Sequence, residues 1–331
     1  MAMKYRQMGK SDLQASCIGL GGNIFGYFCD KKATKIIMDK ASFLGINYVD
    51  TADVYSEGLS EMYIGEATHR HRSKWIIATK IGVRGTEPPH GRGKKEYIFS
   101  AVEQSLARLK TDYIDIYQIH HADPDTPLEE TFSALEQLVR EGKIRYFGVS
   151  NFTTSQLGQA HKTLASLGIA TCISTQMHYN LLKRYSEPEI LPLCQSFLWG
   201  VIVFGGVGRG VLSGKYHSRT VIPKNWRAAV SQSVRNDLTG DVIQTVEKLT
   251  DFAHGYGKST TQLALAWLLT KREVTTIIVG TRNTKQLVEN SLSADWQLGK
   301  KDLLEIDRII GDLARFDSLS LGSFPLPYLG P

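Results

Sequence analysis

Cysteine is scarce in this chain, with four residues in 331. Cys17, Cys29, Cys172 and Cys194 show no CxxC spacing and no accompanying histidine cluster. A structural zinc site needs closely spaced cysteine and histidine ligands, and a disulfide-stapled domain is short and rich in cysteine. The sequence therefore predicts buried free thiols, with no metal site and no disulfide framework.

Long apolar stretches are also lacking. Nowhere does the sequence have a run of about 18 apolar residues, the length that a helix needs to span a bilayer. The first residues, MAMKYRQ, pass into polar sequence without the apolar segment of a secretory signal. These features predict a cytoplasmic protein with no membrane contact.

The net charge is +6, and the basic residues are scattered except for concentrations at residues 84–95 and 215–235. An RNP-type aromatic motif, a zinc finger or a basic helix would favour nucleic-acid binding, and the sequence has none of them. Nucleic acid is therefore not expected as a partner. A phosphorylated small molecule accounts for the local positive charge as well.

Short β-branched runs alternate with amphipathic stretches along the chain, which is typical of βαβ units around a parallel sheet. Because no proline-, glycine- or serine-rich linker divides the sequence, residues 1–331 are predicted to form one domain. Eight units of this kind close most simply into a (β/α)8 barrel, the TIM-barrel fold. The predicted strands are residues 16–20, 48–52, 75–80, 113–120, 144–151, 173–177, 200–204 and 275–280; the clearest helices are residues 32–44, 95–109, 128–140 and 155–167.

Polar residues stand at the ends of these predicted strands, where a barrel carries its functional groups. Such side chains are costly to bury without partners or a purpose. The set is Asp50, Lys80, His120, His121, Ser150, Asn151 and Gln176. Strand alternation puts His120 and His121 on opposite faces, but it does not say which face points inward.

Asp50, Tyr55, Lys80 and a histidine around one pocket suit proton transfer to a carbonyl group. Tyrosine has an ordinary pKa of about 10, so it is a weak acid at neutral pH unless a cation stabilises its phenolate. Lys80 would be that cation, and Asp50 would keep the lysine charged and oriented. Taken singly, Tyr55, Lys80 and Asp50 are more often surface or capping residues, and His120 is as often a core residue as a site residue; the combination favours catalysis.

Three segments resemble the aldo-keto reductase family, and the resemblance extends over nearly the whole chain. They are GINYVDTADVY at residues 45–55, IIATK at 76–80 and DYIDIYQIH at 112–120. The resemblance implies a catalytic tetrad of Asp50, Tyr55, Lys80 and His120, and it is the reason for choosing His120 over His121. Histidine at this position, rather than glutamate, implies reduction of a carbonyl group rather than of a steroid carbon–carbon double bond.

The resemblance also implies NADPH as cofactor. Ser150, Asn151 and Gln176 would hold the nicotinamide carboxamide, Phe204 would stack on its ring, and Arg282 would bind the 2′-phosphate through its forked guanidinium. The remaining predicted contacts are Gly21, Gly22, Asp50, Gly205, Val207, Gly210, Lys215, Gly280, Gln286, Glu289 and Asn290. The chain departs from the family in having FGGVGRG at residues 204–210, where an aromatic residue is usually followed by Ser-Pro-Leu.

The sequence does not identify the substrate beyond a small carbonyl compound, and it leaves a monomer or a homo-oligomer open. The loop at residues 82–95 is read as a solvated loop, although it could also offer a cation to an acidic or sugar-like substrate. Residues 215–237 resemble the loop that folds over the cofactor in the family, and residues 318–331 could cover the pocket or contact another subunit. One alternative is a cofactor-binding regulatory subunit like the potassium-channel β subunits. Another is a sugar-phosphate isomerase barrel, which the Ser150, Asn151 and Gln176 set argues against.

Overall fold

The computed structural model describes residues 3–81, 91–217, 229 and 231–314. Eight parallel strands close into a barrel in the order β10-β3-β4-β5-β6-β7-β8-β9, which confirms the predicted (β/α)8 fold. The barrel strands are β3 (Ile18–Gly21), β4 (Tyr48–Asp50), β5 (Ile76–Ile81), β6 (Ile114–Ile119), β7 (Ile144–Ser150), β8 (Cys172–His178), β9 (Gly200–Phe204) and β10 (Val274–Val279). All eight correspond to the strands predicted from sequence.

Helices surround the barrel. Among the described residues they are α1 (Lys31–Phe43), α2 (Leu59–Thr68), α3 (Lys95–Leu109), α4 (Leu128–Arg140), α5 (Thr154–Ser166), α6 (Ile190–Phe197), α7 (Gln232–Asp237), α8 (Gly240–Gly255), α9 (Thr260–Leu269), α10 (Thr284–Ser291) and α11 (Lys300–Ile310). In α4, the buried residues Phe132, Leu135 and Leu138 recur at three-residue spacing, as an amphipathic helix requires. Asp30 caps α1 by accepting a hydrogen bond from the Ala33 N–H.

An antiparallel hairpin precedes the barrel, and it was not predicted from the sequence. Its strands are β1 (Tyr5–Gln7) and β2 (Gln14–Ser16). Met8, Leu13 and Ala15 are buried against the interior residues Tyr48 and Ile116, so this segment closes the amino-terminal end of the barrel. The functional groups are therefore confined to the opposite, carboxyl-terminal end.

The interior of the barrel decides the orientation of β6. Ile116 packs among the interior residues, whereas Tyr117 and Ile119 pack in the shell between strands and helices. Strand alternation then puts His120 on the inner face with Gln118. The four cysteines are free and buried, as predicted. Within the described ranges, no helix is long and apolar enough to cross a membrane.

Three predictions concern segments that lie wholly or partly outside the described residues. They are the basic loop at residues 82–95, of which residues 82–90 are outside, the loop at 215–237, of which 218–228 and 230 are outside, and the tail at 318–331.

Candidate active site

A buried ion pair forms the floor of the pocket. Lys80 on β5 and Asp50 at the end of β4 are almost completely buried, and Nζ of the lysine lies 2.5 Å from Oδ2 of the aspartate. Lys80 also donates to the Thr51 carbonyl oxygen at 2.8 Å. Burial by itself lowers the pKa of the Lys80 ammonium, but the charge of Asp50 and the hydroxyl of Tyr55 outweigh it, and the pKa is raised above the ordinary value. The lysine therefore stays charged although it is out of water.

Two amides fix the second oxygen of this carboxylate. Gln118 on β6 donates to Asp50 Oδ1 at 3.2 Å, and Gln176 on β8 donates to the same atom at 2.6 Å. Both side chains are buried. A carboxylate that accepts hydrogen bonds at both oxygens has its charge stabilised and its orientation set. Asp50 can therefore aim the Lys80 ammonium in one direction.

The Lys80 ammonium points toward Tyr55. Lys80 Nζ lies 3.3 Å from the Tyr55 hydroxyl and 4.9 Å from the centroid of its ring. Tyr55 begins a turn in which Ser56 and Glu57 have left-handed backbone, with φ of 49° and 56°. Such conformations are strained for residues other than glycine and persist only where the surroundings impose them. The turn is thus held in place by its neighbours rather than by local preference.

The neighbours of the turn come from two sides. A Cβ on Gly26 would lie 2.7 Å from Ser56 Cβ, and a Cβ on Gly58 would lie 2.7 Å from Arg108 Cδ. Arg108 is paired with the fully buried Glu61 at 2.6 Å, and Glu61 accepts a hydrogen bond from Thr79, the residue before Lys80. One buried ion pair therefore connects the tyrosine turn with the strand that carries the lysine.

His120 faces Tyr55 across the pocket. Their ring centroids are 6.0 Å apart with an interplanar angle of 79°, and His121 stacks on the other side of His120 at 5.3 Å. Burial, together with the charge of Lys80 and the neighbouring His121, lowers the pKa of His120 well below its ordinary value. Burial lowers the pKa of His121 to about 4. Both imidazoles are neutral at physiological pH, so His120 can donate a hydrogen bond without carrying charge.

The predicted carboxamide-binding residues meet at the ends of β7 and β8. Ser150 pairs with Gln176 in strand register, and the Asn151 N–H donates to the Gln176 carbonyl oxygen at 3.0 Å. The left-handed backbone of Asn151, with φ of 58°, turns its side chain back toward the rim. There its Nδ2 donates to the carbonyl oxygen of His120 and to Ser150 Oγ, each at 3.1 Å. Polar groups of amide and hydroxyl type therefore cluster beside the tetrad.

The glycine-rich segment after β9 forms a compact turn. The Gly208 N–H donates to the Gly205 carbonyl oxygen, and the Gly210 N–H donates to the Val207 carbonyl oxygen. These two N–H groups are therefore used within the turn. Lys215 lies beside it, because a Cβ on Gly210 would be 3.3 Å from the lysine Nζ. A cation is thus present where the sequence suggested phosphate binding.

The segment after β10 contains the remaining predicted contacts. Arg282 lies with its guanidinium carbon 3.6 Å from the centroid of the Phe28 ring, and the backbone N–H of Arg282 donates to Gln286 Oε1 at 2.9 Å. Asn290 donates to Thr281 Oγ1, and the Glu289 carbonyl oxygen accepts from Gln262. The Phe28 ring supports one face of the guanidinium and so fixes the plane of the Arg282 side chain.

Gly21, Gly22 and Gly280 line the boundary between β3 and β10. A Cβ on Gly21 would lie 3.4 Å from the Gly280 nitrogen, and one on Gly22 would lie 2.7 Å from the Asp50 carbonyl oxygen. Larger residues at 22 would therefore press on the strand that carries Asp50. All the predicted site residues lie at the carboxyl-terminal end of the barrel, in the loops that follow its strands, or in α10 beyond the last of these loops.

Four contributors were not predicted. Gln118, which donates to Asp50, and His178, whose ring stacks on Phe204, could have been found by alternation, since each lies two residues along the chain from a predicted site residue, His120 or Gln176. Phe28 and Arg108 carry no local signal, because their roles depend on contacts with distant residues. Within the described ranges, no cluster of histidine, cysteine, aspartate and glutamate could hold a metal ion.

Comparison with known proteins agrees with this geometry. The model of the aldo/keto reductase family matches residues 17–311. The oxidoreductase YrpG of Bacillus subtilis is 33% identical over 94% of this chain and 96% of its own. L-glyceraldehyde 3-phosphate reductase of Escherichia coli is 32% identical over 94% of this chain and 93% of its own. A protein of Schizosaccharomyces pombe named as a voltage-gated potassium channel subunit beta is 32% identical, over 92% and 93% of the two chains. The chain therefore belongs to the aldo/keto reductase family of oxidoreductases.

Proposed function

We propose that this protein is an NADPH-dependent carbonyl reductase in which Tyr55 gives the proton. The observation that carries the proposal is the buried chain from Asp50 through Lys80 to the Tyr55 hydroxyl, with separations of 2.5 and 3.3 Å. A purely structural ion pair would have no need of a half-buried phenol at its end. These three residues supply what a phenol needs to act as an acid at neutral pH, namely a proton, a fixed cation beside it and a carboxylate that keeps the cation charged.

The residues of the chain divide the chemistry as follows. When bound, the nicotinamide of NADPH supplies the hydride. Tyr55 donates its proton to the carbonyl oxygen, and the Lys80 ammonium stabilises the phenolate that remains. His120, held neutral by burial and by the positive charge of Lys80, donates a hydrogen bond to the same oxygen and orients it. The reverse reaction, oxidation of an alcohol, uses the same groups with Tyr55 as base.

The fit of the cofactor rests on donors and shape. Ser150, Asn151 and Gln176 offer amide and hydroxyl groups beside the tetrad, and Phe204 at the end of β9 offers a flat ring. Arg282 offers a fork of donors, and Lys215 a further cation. Two cations in two different loops suit a ligand with phosphates at both its centre and its adenosine end.

The test is reduction of a panel of aldehydes, ketones and sugar aldehydes, followed by loss of NADPH absorbance. Wild type is expected to consume NADPH, and Tyr55→Phe to lose nearly all turnover while it still binds NADPH. Tyr256→Phe is the matched control, since Tyr256 is half exposed and its hydroxyl donates to Asp302 away from the pocket. Full activity in Tyr55→Phe would exclude Tyr55 as the acid.

The relative named as a potassium channel subunit beta supports a second candidate, a cofactor-binding regulatory subunit. The same panel separates the two. A regulatory subunit is expected to bind NADPH tightly and leave every carbonyl compound unreduced. Failure to bind either NADPH or NADH would exclude both candidates.

A further inference from the structure

The turn after β9 begins with Gly205, and the ring of His178 occupies the space that a side chain at this position would need. A Cβ on Gly205 would lie 2.4 Å from His178 Cδ2 and 2.6 Å from its Nε2. Carbon atoms that are not bonded do not approach this closely. A residue larger than glycine at 205 and the observed position of the His178 ring therefore exclude each other.

The His178 ring also supports Phe204. The two residues are paired in register on the neighbouring strands β8 and β9, and their rings are stacked with centroids 5.2 Å apart and planes 12° apart. His178 is 4% exposed, whereas Phe204 is only partly buried. One face of the phenylalanine is thus backed by imidazole.

Asn180 fixes the imidazole and the turn together. Its Oδ1 accepts hydrogen bonds from the N–H groups of Leu182 and Lys183, so its Nδ2 must face the other way. That Nδ2 donates to the Gly205 carbonyl oxygen at 2.9 Å and lies 3.2 Å from His178 Nε2. Since Nδ2 is a donor, His178 Nε2 is the acceptor and the ring is neutral. Burial, with the positive charges of Lys183 and Arg209, lowers the pKa of His178 well below its ordinary value, in agreement with this assignment.

We propose that His178 is a positioning residue for the nicotinamide end of the cofactor, acting through Phe204 from the space that the glycine at position 205 leaves open. The inference rests on the proposed function, in which Phe204 faces the nicotinamide ring. It explains how a glycine turn, which is flexible by itself, can present a fixed aromatic surface. The rigidity comes from the imidazole and Asn180 rather than from the turn.

The experiment is a double-mutant cycle of Gly205→Ser, His178→Ala and the two combined, with affinity for NADPH and apo thermal midpoint measured for each. Gly205→Ser alone is expected to weaken NADPH binding by about tenfold or more. The double variant, which also lacks the imidazole, is expected to recover most of that loss, because the effects of substituting two residues in contact do not add. Gly168→Ser is the control for backbone strain. Gly168 has φ of 67°, against 68° for Gly205, and a Cβ there would meet nothing within 4 Å.

A second ligand separates positioning from general damage. Adenosine 2′,5′-bisphosphate lacks the nicotinamide, so its affinity is expected to be the same in wild type and His178→Ala, while kcat for carbonyl reduction falls in the variant. Equal loss of affinity for NADPH and for adenosine 2′,5′-bisphosphate in His178→Ala would overturn the positioning role. Additive effects of the two substitutions on NADPH affinity would overturn it too, provided that the wild type binds NADPH. If wild type binds no nicotinamide cofactor, the proposed function fails and the role assigned to His178 fails with it; additivity with intact binding refutes this inference alone.

Discussion

Replacement of Lys80 by methionine tests the acid–cation pair most directly. The Lys80 Nζ lies 3.3 Å from the Tyr55 hydroxyl. With an effective dielectric constant of about 20, a charge at that distance stabilises a phenolate by about 5 kcal/mol, which is an upper bound because the site also contains Asp50. General acid catalysis typically contributes a factor of about 10² to 10⁴. We expect kcat for carbonyl reduction to fall by about 10³ in Lys80→Met.

The same change leaves the buried Asp50 without its counter-ion. Although Gln118 and Gln176 still donate to it, loss of one partner of a buried pair typically costs about 3 to 5 kcal/mol in free energy of unfolding. Asp50→Asn combined with Lys80→Met removes both charges and should regain most of this stability. It should not regain activity.

The assays are urea unfolding for stability, and NADPH consumption with a saturating aldehyde for kcat. Lys143→Met is the control, because Lys143 pairs with Glu103 and Glu141 on the surface, where such pairs contribute about 1 kcal/mol or less. Retention of kcat within about tenfold of wild type in Lys80→Met, with NADPH still bound, would show that the lysine does not stabilise the phenolate. A double variant no more stable than the single one would refute the electrostatic reasoning.

Two further predictions concern cofactor choice and pH. Arg282→Ala should raise the Kd for NADPH by about tenfold to a hundredfold, the size of a charge-assisted bidentate contact, and leave the Kd for NADH nearly unchanged. Arg272→Ala is the control, because Arg272 lies at the opposite end of the barrel and pairs with Glu273. Equal weakening of NADPH and NADH binding in Arg282→Ala would contradict the assignment. The pKa values of His120, His121 and His178 are lowered in the folded protein, so below about pH 6.5 the unfolded chain binds more protons than the folded one. The free energy of unfolding should therefore fall as the pH is lowered from about 6.5, by up to about 1.4 kcal/mol per pH unit for each histidine. His121→Gln should reduce that slope between pH 6.5 and its folded pKa of about 4, and an unchanged slope in thermal melts would contradict this.

Much of the barrel could be predicted because its local signals agree with its fold. Strands buried on both faces appear in the sequence as continuous apolar runs. Two helices, α3 (Lys95–Leu109) and α4 (Leu128–Arg140), begin and end at the predicted residues. Helix α5 (Thr154–Ser166) begins one residue before the prediction, because Thr153 and Gln156 form a capping box that the apolar spacing does not reveal. The short hairpin was missed since three-residue strands carry almost no periodic signal.

The amino-acid sequence by itself determined the barrel and placed polar residues at the ends of its strands, and it predicted Asp50, Tyr55 and Lys80 as members of one site. It could not decide which histidine enters the pocket, because both faces of β6 are buried and alternation marks neither; closure of the barrel turned His120 inward with Gln118. Only the tertiary structure decided the contacts of Arg282 with Phe28 and of His178 with Gly205. These contacts join different strands and loops, so they exist only once strand register and barrel closure have brought distant residues within a few ångströms of one another.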